Sequence, residues 1–197
     1  MGDRRLWLID AGYLFNARHS VAQGFKFNYA KLRKKLEESG EIWRAYYLNS
    51  TPSPPTDAQD DFHKWLRSAP PMGPKIITKL YEMKEERGDK SYCECCDEKV
   101  MLACPNTSKK AGVHRLCNQV QKGVDVGLAT LALIHKDNYD TLILSSGDSD
   151  LLDAIEHLSE NGKRIELAVF HLGVASELQS RADKIHWIDD FSAEVAQ

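Results

Sequence analysis

Residues 141–162, TLILSSGDSDLLDAIEHLSENG, decide the fold. Thr141–Ser145 is a short apolar run and reads as a buried strand. From Asp148 to Asn161 the apolar residues Leu151, Ile155 and Leu158 recur at helical spacing, and Gly162 is placed to stop the helix. The linking SSGDSD sets Asp148 and Asp150 just past the strand's carboxyl end.

The same alternation extends in both directions. Toward the C-terminus, Arg164–Phe170 reads as a strand, 175–182 as a short helix and Ile185–Ile188 as a final strand. Toward the N-terminus, Lys122–His135 is helical, with Val124, Leu128, Leu131 and Ile134 on one face. Pro74–Tyr81 and Ile42–Leu48 read as strands, with a Pro- and Ser-rich loop and an amphipathic helix opened by Asp57 between them. Asn28 caps a helix over Leu32 and Leu36 that Gly40 ends, and Arg5–Ile9 is the first strand. Strands separated by helices predict an α/β fold, a mostly parallel sheet flanked by helices on both faces.

The 197 residues suit one domain over 1–197, and 42% hydrophobic residues suffice for a core. A net charge of −3 and a pI near 6.2 give no bulk signal of nucleic-acid binding, so such a role must rest on local charge. No stretch reaches the roughly 18 apolar residues of a membrane span, and the N-terminus enters a strand without a signal-peptide pattern. A cytoplasmic protein with no membrane partner is expected.

One stretch breaks the rhythm. Residues 82–121 are polar, show no clear period and hold all five cysteines, so they read as an insertion within the domain. An odd cysteine count without a secretion signal argues against a disulfide framework. Cys93 and Cys96 form a C-x-x-C, His114 and Cys117 an H-x-x-C, and the 17 residues between resemble zinc-finger spacing. Structural Zn²⁺ would order a loop too polar to hold itself together, with Cys104 competing against His114 for the fourth place; the alternative is a set of reduced thiols. From Lys99 to Val124 there is no Asp or Glu. Lys109, Lys110, Arg115 and Lys122 are candidate contacts to a phosphate backbone, or simply a solvated face.

In open parallel sheets ligands bind beyond the strands' carboxyl ends, where the strand order reverses. Asp10 ends the first strand, Asp148 and Asp150 follow the strand at 141–145, and Asp125 opens the helix between. If the two strands are neighbours, the carboxylates share a crevice. Their repulsion is relieved by a cation, and an all-oxygen set suits Mg²⁺ or Mn²⁺. Each aspartate also has a structural reading: Asp10 as an Asx turn, Asp148 as a cap, Asp150 as a charge on a helix dipole, Asp125 as a partner of Lys122.

Three segments, LIDAGYLFN (8–16), KGVDVGLATLAL (122–133) and LSSGDSDLLDAIEHL (144–158), resemble the signature blocks of the NYN-domain family, which includes the LabA-like proteins and belongs to the PIN-like nuclease superfamily. The resemblance implies a Rossmann-like PIN fold, metal-dependent ribonuclease chemistry on RNA, and metal-ligand roles for Asp10, Asp125, Asp148 and Asp150. Many members carry Asn three residues after the first Asp; here that residue is Tyr13, and Asn16 lies one helical turn further on. The expected activity is therefore a metal-dependent endoribonuclease, with a catalytically silent RNA-binding or regulatory module as the alternative. A phosphatase with a nucleophilic DxD is disfavoured, because Ala11 and Gly12 follow Asp10.

Overall fold

The computed structural model describes residues 3–88, 90–101, 116–120 and 122–197. In chain order, β1 (Arg5–Asp10) runs without a break into α1 (Ala11–Ala17). Then come α2 (Tyr29–Glu37), β2 (Ile42–Thr51), α3 (Asp57–Arg67) and β3 (Ile77–Glu82). Four short strands follow, β4 (Lys84–Gly88), β5 (Lys90–Cys93), β6 (Glu98–Met101) and β7 (Leu116–Val120). After them come α4 (Val124–Ile134), β8 (Thr141–Ser145), α5 (Leu152–Glu160), β9 (Arg164–Val169), α6 (Ser176–Arg181), β10 (Lys184–Trp187) and α7 (Ser192–Val195).

Six strands form one sheet in the order β10-β9-β8-β1-β2-β3, every pair parallel. Strand residues alternate between two cores, as the two-residue period of a pleat requires. Leu6 and Leu8 of β1 and Leu142 and Leu144 of β8 pack with α4 and α5. Trp7, Ile9 and Ile143 pack on the other face with Leu14 of α1, Leu32 and Leu36 of α2, and Leu66 of α3. A sheet covered on both faces explains why its strands read as unbroken apolar runs.

The helix ends follow their side chains. Asn28 accepts hydrogen bonds from the N–H groups of Ala30 and Lys31 and so caps α2. Thr56 and Gln59 make a reciprocal capping box at α3. Some expectations change. Residues 148–161 divide into a 3₁₀ turn, Ser149–Leu151, and α5. In α4 the buried residues are Val124, Gly127, Leu128, Leu131 and Ala132, whereas Ile134 is 62% exposed; His135 beside it, not Ile134, faces the sheet, against Trp43 and Tyr46. The polar stretch after β3, expected to lack regular structure, pairs β4 with β7 and β5 with β6 in antiparallel ribbons. The exposed residues of β6 show why no period was visible: strand alternation marks a sequence only when one face is buried. Among the described residues, no helix is long and apolar enough to cross a membrane.

Candidate active site at the carboxyl edge of the sheet

From β1 the chain winds outward through β2 and β3; from β8 it winds the opposite way through β9 and β10. The reversal lies between β1 and β8, paired in register from Arg5↔Thr141 to Ile9↔Ser145. The aspartates that follow these two strands thus emerge side by side. Asp10 is half-buried and caps α1: one carboxylate oxygen accepts from the Tyr13 N–H (3.0 Å), the other from the Ser146 hydroxyl (3.3 Å). Asp148 is exposed and accepts from the Asp150 N–H (2.9 Å), capping the 3₁₀ turn. Asp125 sits half-buried in the first turn of α4.

Asp125 interacts by charge with Asp10, Asp148 and Asp150. Asp10 is pushed above the usual carboxylate range, chiefly by burial and further by the charge of Asp125, against opposing hydrogen bonds from Tyr13 and Ser146. Asp125 is likewise raised, first by burial, then by the charges of Asp148 and Asp150. The structural roles proposed for Asp10 and Asp148 are real, but a cap occupies only part of a carboxylate's acceptor capacity. Among the described residues, no three His, Cys, Asp or Glu side chains converge within a shared metal-binding distance. The carboxylates stand at charge–charge range. An oxygen-only donor set is the kind that a hard cation such as Mg²⁺ takes.

A family model for the NYN domain matches residues 7–189. The chain belongs to the NYN-domain family. This is a PIN-like nuclease family, and the parallel sheet flanked by helices is consistent with it. The chain is also similar in fold to a protein of unknown function from Vibrio parahaemolyticus. That crystal structure superposes with a TM-score of 0.66 at 17% identity, covering 99% of this chain and 96% of the other. No curated protein matches the chain at a significant level.

Tyr13, which stands where many NYN domains have Asn, is a structural clamp. Its hydroxyl donates to the carbonyls of Phe170 (3.0 Å) and Leu172 (3.2 Å), tying α1 to the loop after β9. The same loop presses on the carboxylate loop. A Cβ at Gly147 would lie 1.8 Å from the Gly173 carbonyl oxygen and 2.8 Å from the Tyr13 ring, so SSGDSD needs glycine at that place. The signature blocks contain Tyr13 and Ser146 but do not reveal these roles, because each acts through a backbone partner or a carboxylate fixed only by the fold.

Asn16 is exposed on α1 and lines a cavity of about 770 Å³ near Asp10. Ala11 and Gly12, directly after Asp10, belong to the same wall. Lys122 is exposed immediately before α4. Lys109, Lys110, Arg115, Cys104 and His114 lie outside the described residues, and so does any arrangement of zinc ligands that includes them. Cys93, Cys95 and Cys96 are unbridged in the turn joining β5 to β6. There the Cys93 thiol is held below its ordinary range by the backbone N–H of Cys96 and then that of Cys95. Hydrogen bonds of this kind favour a thiolate.

Proposed function

We propose that this NYN domain is a divalent-metal-dependent endoribonuclease. The observation that supports this reading is the charge interaction of Asp125 with Asp10, Asp148 and Asp150, next to the β1/β8 switch point. So much negative charge repels a phosphodiester unless a cation intervenes. These four carboxylates would hold Mg²⁺ or Mn²⁺, which supplies charge neutralisation at the scissile phosphate and at the leaving oxygen. The protein's own part is positional. The Tyr13 N–H and Ser146 hydroxyl fix Asp10, and the Asp150 N–H fixes Asp148. In hydrolysis a water oxygen bonds to phosphorus, the ester P–O bond breaks, the water gives up a proton and the departing oxygen gains one. Carboxylates held rigid beside the phosphate orient that water.

Lys122, with Lys109, Lys110 and Arg115 on the same acid-free stretch, guides the RNA backbone toward the site. Asn16 belongs to the substrate side of the site, on the cavity wall. The catalytic unit spans 1–197, with 82–121 as its insertion. The clamping of Tyr13 favours a second reading, in which the chain binds RNA without cutting it, because no amide stands beside Asp10 at that place. Incubation of single-stranded RNA and DNA with Mg²⁺, Mn²⁺ or EDTA decides between them: cleavage of RNA that needs metal supports the enzyme, and intact RNA under every condition supports the silent module.

The zinc proposal is separate. Cys93, Cys96 and Cys117, with His114 or Cys104, hold one structural Zn²⁺ that ties together the polar ribbons after β3. Protein purified without chelator is expected to contain about one zinc per chain by elemental analysis. Zinc-free protein that is fully folded would refute it.

A further inference from the structure

Four buried side-chain polar atoms lack a hydrogen-bond partner among the described residues: Arg5 Nε, Arg18 Nε, Ser50 Oγ and His63 Nδ1. Three of the four belong to residues lining one cavity, the 770 Å³ space near Asp10. Ser50 and His63 are each only 2% exposed. Native proteins seldom leave buried polar atoms unpaired, and a cluster of them on one wall points to a ligand that completes the bonding. The cavity size falls within the range of small-molecule sites.

The other walls define the ligand's chemistry. Tyr47, Phe62 and Trp65 give the cavity aromatic surfaces, with Phe62 and Trp65 stacked at a ring separation of 5.9 Å. Arg18 and Lys26 supply positive charge, and among the described residues lining the cavity there is no Asp or Glu. Arg18 lies over the Phe15 ring at 4.0 Å, so its guanidinium is held in place. Flat faces, hydrogen-bonding edges at depth and cations are the set that a nucleotide requires: a base to stack, base edges to bond, a phosphate to neutralise.

We propose that this cavity binds an unstacked nucleobase of a single-stranded RNA, with Ser50 and His63 bonding the base edge and Arg18 and Lys26 holding the adjoining phosphate. This deepens the nuclease reading, on which the base's origin in an RNA strand rests. Ala11 and Gly12, directly after Asp10 in the chain, line the cavity, and the charge of Asp10 reaches its Tyr29 and Tyr47, so a base seated there would hold its backbone near Asp10. Burial, then the charge of Arg67, holds His63 below the usual histidine range, so at neutral pH its ring is uncharged. A neutral imidazole and a hydroxyl each donate or accept, so purines and pyrimidines are both accommodated.

The test uses the full chain in EDTA, where cleavage is silent, and titrates it calorimetrically with AMP, UMP and ribose 5-phosphate. AMP and UMP are expected to bind, and ribose 5-phosphate to bind at least about tenfold more weakly for want of stacking. Ser50→Ala removes a hydroxyl with no hydrogen-bond partner among the described residues, so its melting temperature should not fall. Nucleotide binding should nevertheless weaken roughly three- to tenfold, the worth of one hydrogen bond. His63→Phe, which keeps an aromatic ring in the same place, should weaken binding similarly. Equal binding of ribose 5-phosphate, no nucleotide binding, or both variants binding AMP like the parent would overturn the proposal. These outcomes are independent of RNA cleavage in Mg²⁺. Cleavage without selective AMP binding removes the base pocket alone, and selective AMP binding without cleavage removes the nuclease reading alone.

Discussion

Asp148→Asn is expected to fold normally and to lose at least about a hundredfold in metal-dependent RNA cleavage, since disturbing even the outer-shell partners of a metal site costs 10–100-fold. The fold should survive for a local reason. Asp148 accepts a hydrogen bond from the Asp150 N–H to cap its turn, and asparagine caps equally well through its amide oxygen. Loss of one charge also relieves the repulsion that raises Asp125. Activity should not survive, because an amide is a far poorer ligand for a hard cation than a carboxylate. RNA binding in EDTA should hold or tighten, since the phosphate then meets less negative charge. Cleavage and filter-binding assays on the parent and variant check both halves. Undiminished cleavage by a folded Asp148→Asn protein would move the chemistry away from this crevice or reveal a contaminant.

The legible parts of this protein are those in which sequence position alone implies spatial position. Asp10 ends β1 and Asp148 lies three residues past β8, both strands buried on both faces, so their placement at the sheet's carboxyl edge needed only the adjacency of β1 and β8. The helix cap at Asn28 is equally local, whereas α3, read as opened by Asp57, is capped one residue earlier by Thr56. Features made by distant segments left no trace. α1 follows β1 without an intervening turn, so no boundary signal marked it. The β5–β6 ribbon buries no continuous face. The cavity is assembled from Arg18, β2 and α3, and Ser50 and His63 are ordinary residues until the fold surrounds them. Glu166, in RIELAVF, looks like the polar member of an alternating strand; it is 4% exposed because Arg5, on a strand two places away in the sheet, reaches it.

That pair sets a large expected effect on stability. Arg5 is fully buried and donates to Glu166 and to the carbonyls of Leu36 (2.6 Å) and Gly40 (3.0 Å), while His186 meets the same Glu166 oxygen at 2.8 Å. Glu166→Gln leaves the guanidinium in the core without a counter-charge and is expected to lower the unfolding free energy by about 3 kcal/mol, toward the lower end for breaking a buried pair because two carbonyls still accept from Arg5. Burial alone would raise the Glu166 carboxyl. The hydrogen bond from His186 and the charge and hydrogen bonding of Arg5 outweigh it and hold the group near 2, below its ordinary 4.5. A carboxyl depressed in the folded state adds stability above its unfolded pKa and loses it as pH falls toward the folded one. The urea midpoint of the parent should therefore exceed that of Glu166→Gln by its full margin at neutral pH. The margin should narrow as pH drops below about 4.5 and close near 2. A margin that stays constant through that window would show that the charge on Glu166 does not carry the stabilisation. Replacing both partners, as in Arg5→Leu with Glu166→Leu, should cost much less than the single change, since no uncompensated charge then remains in the core.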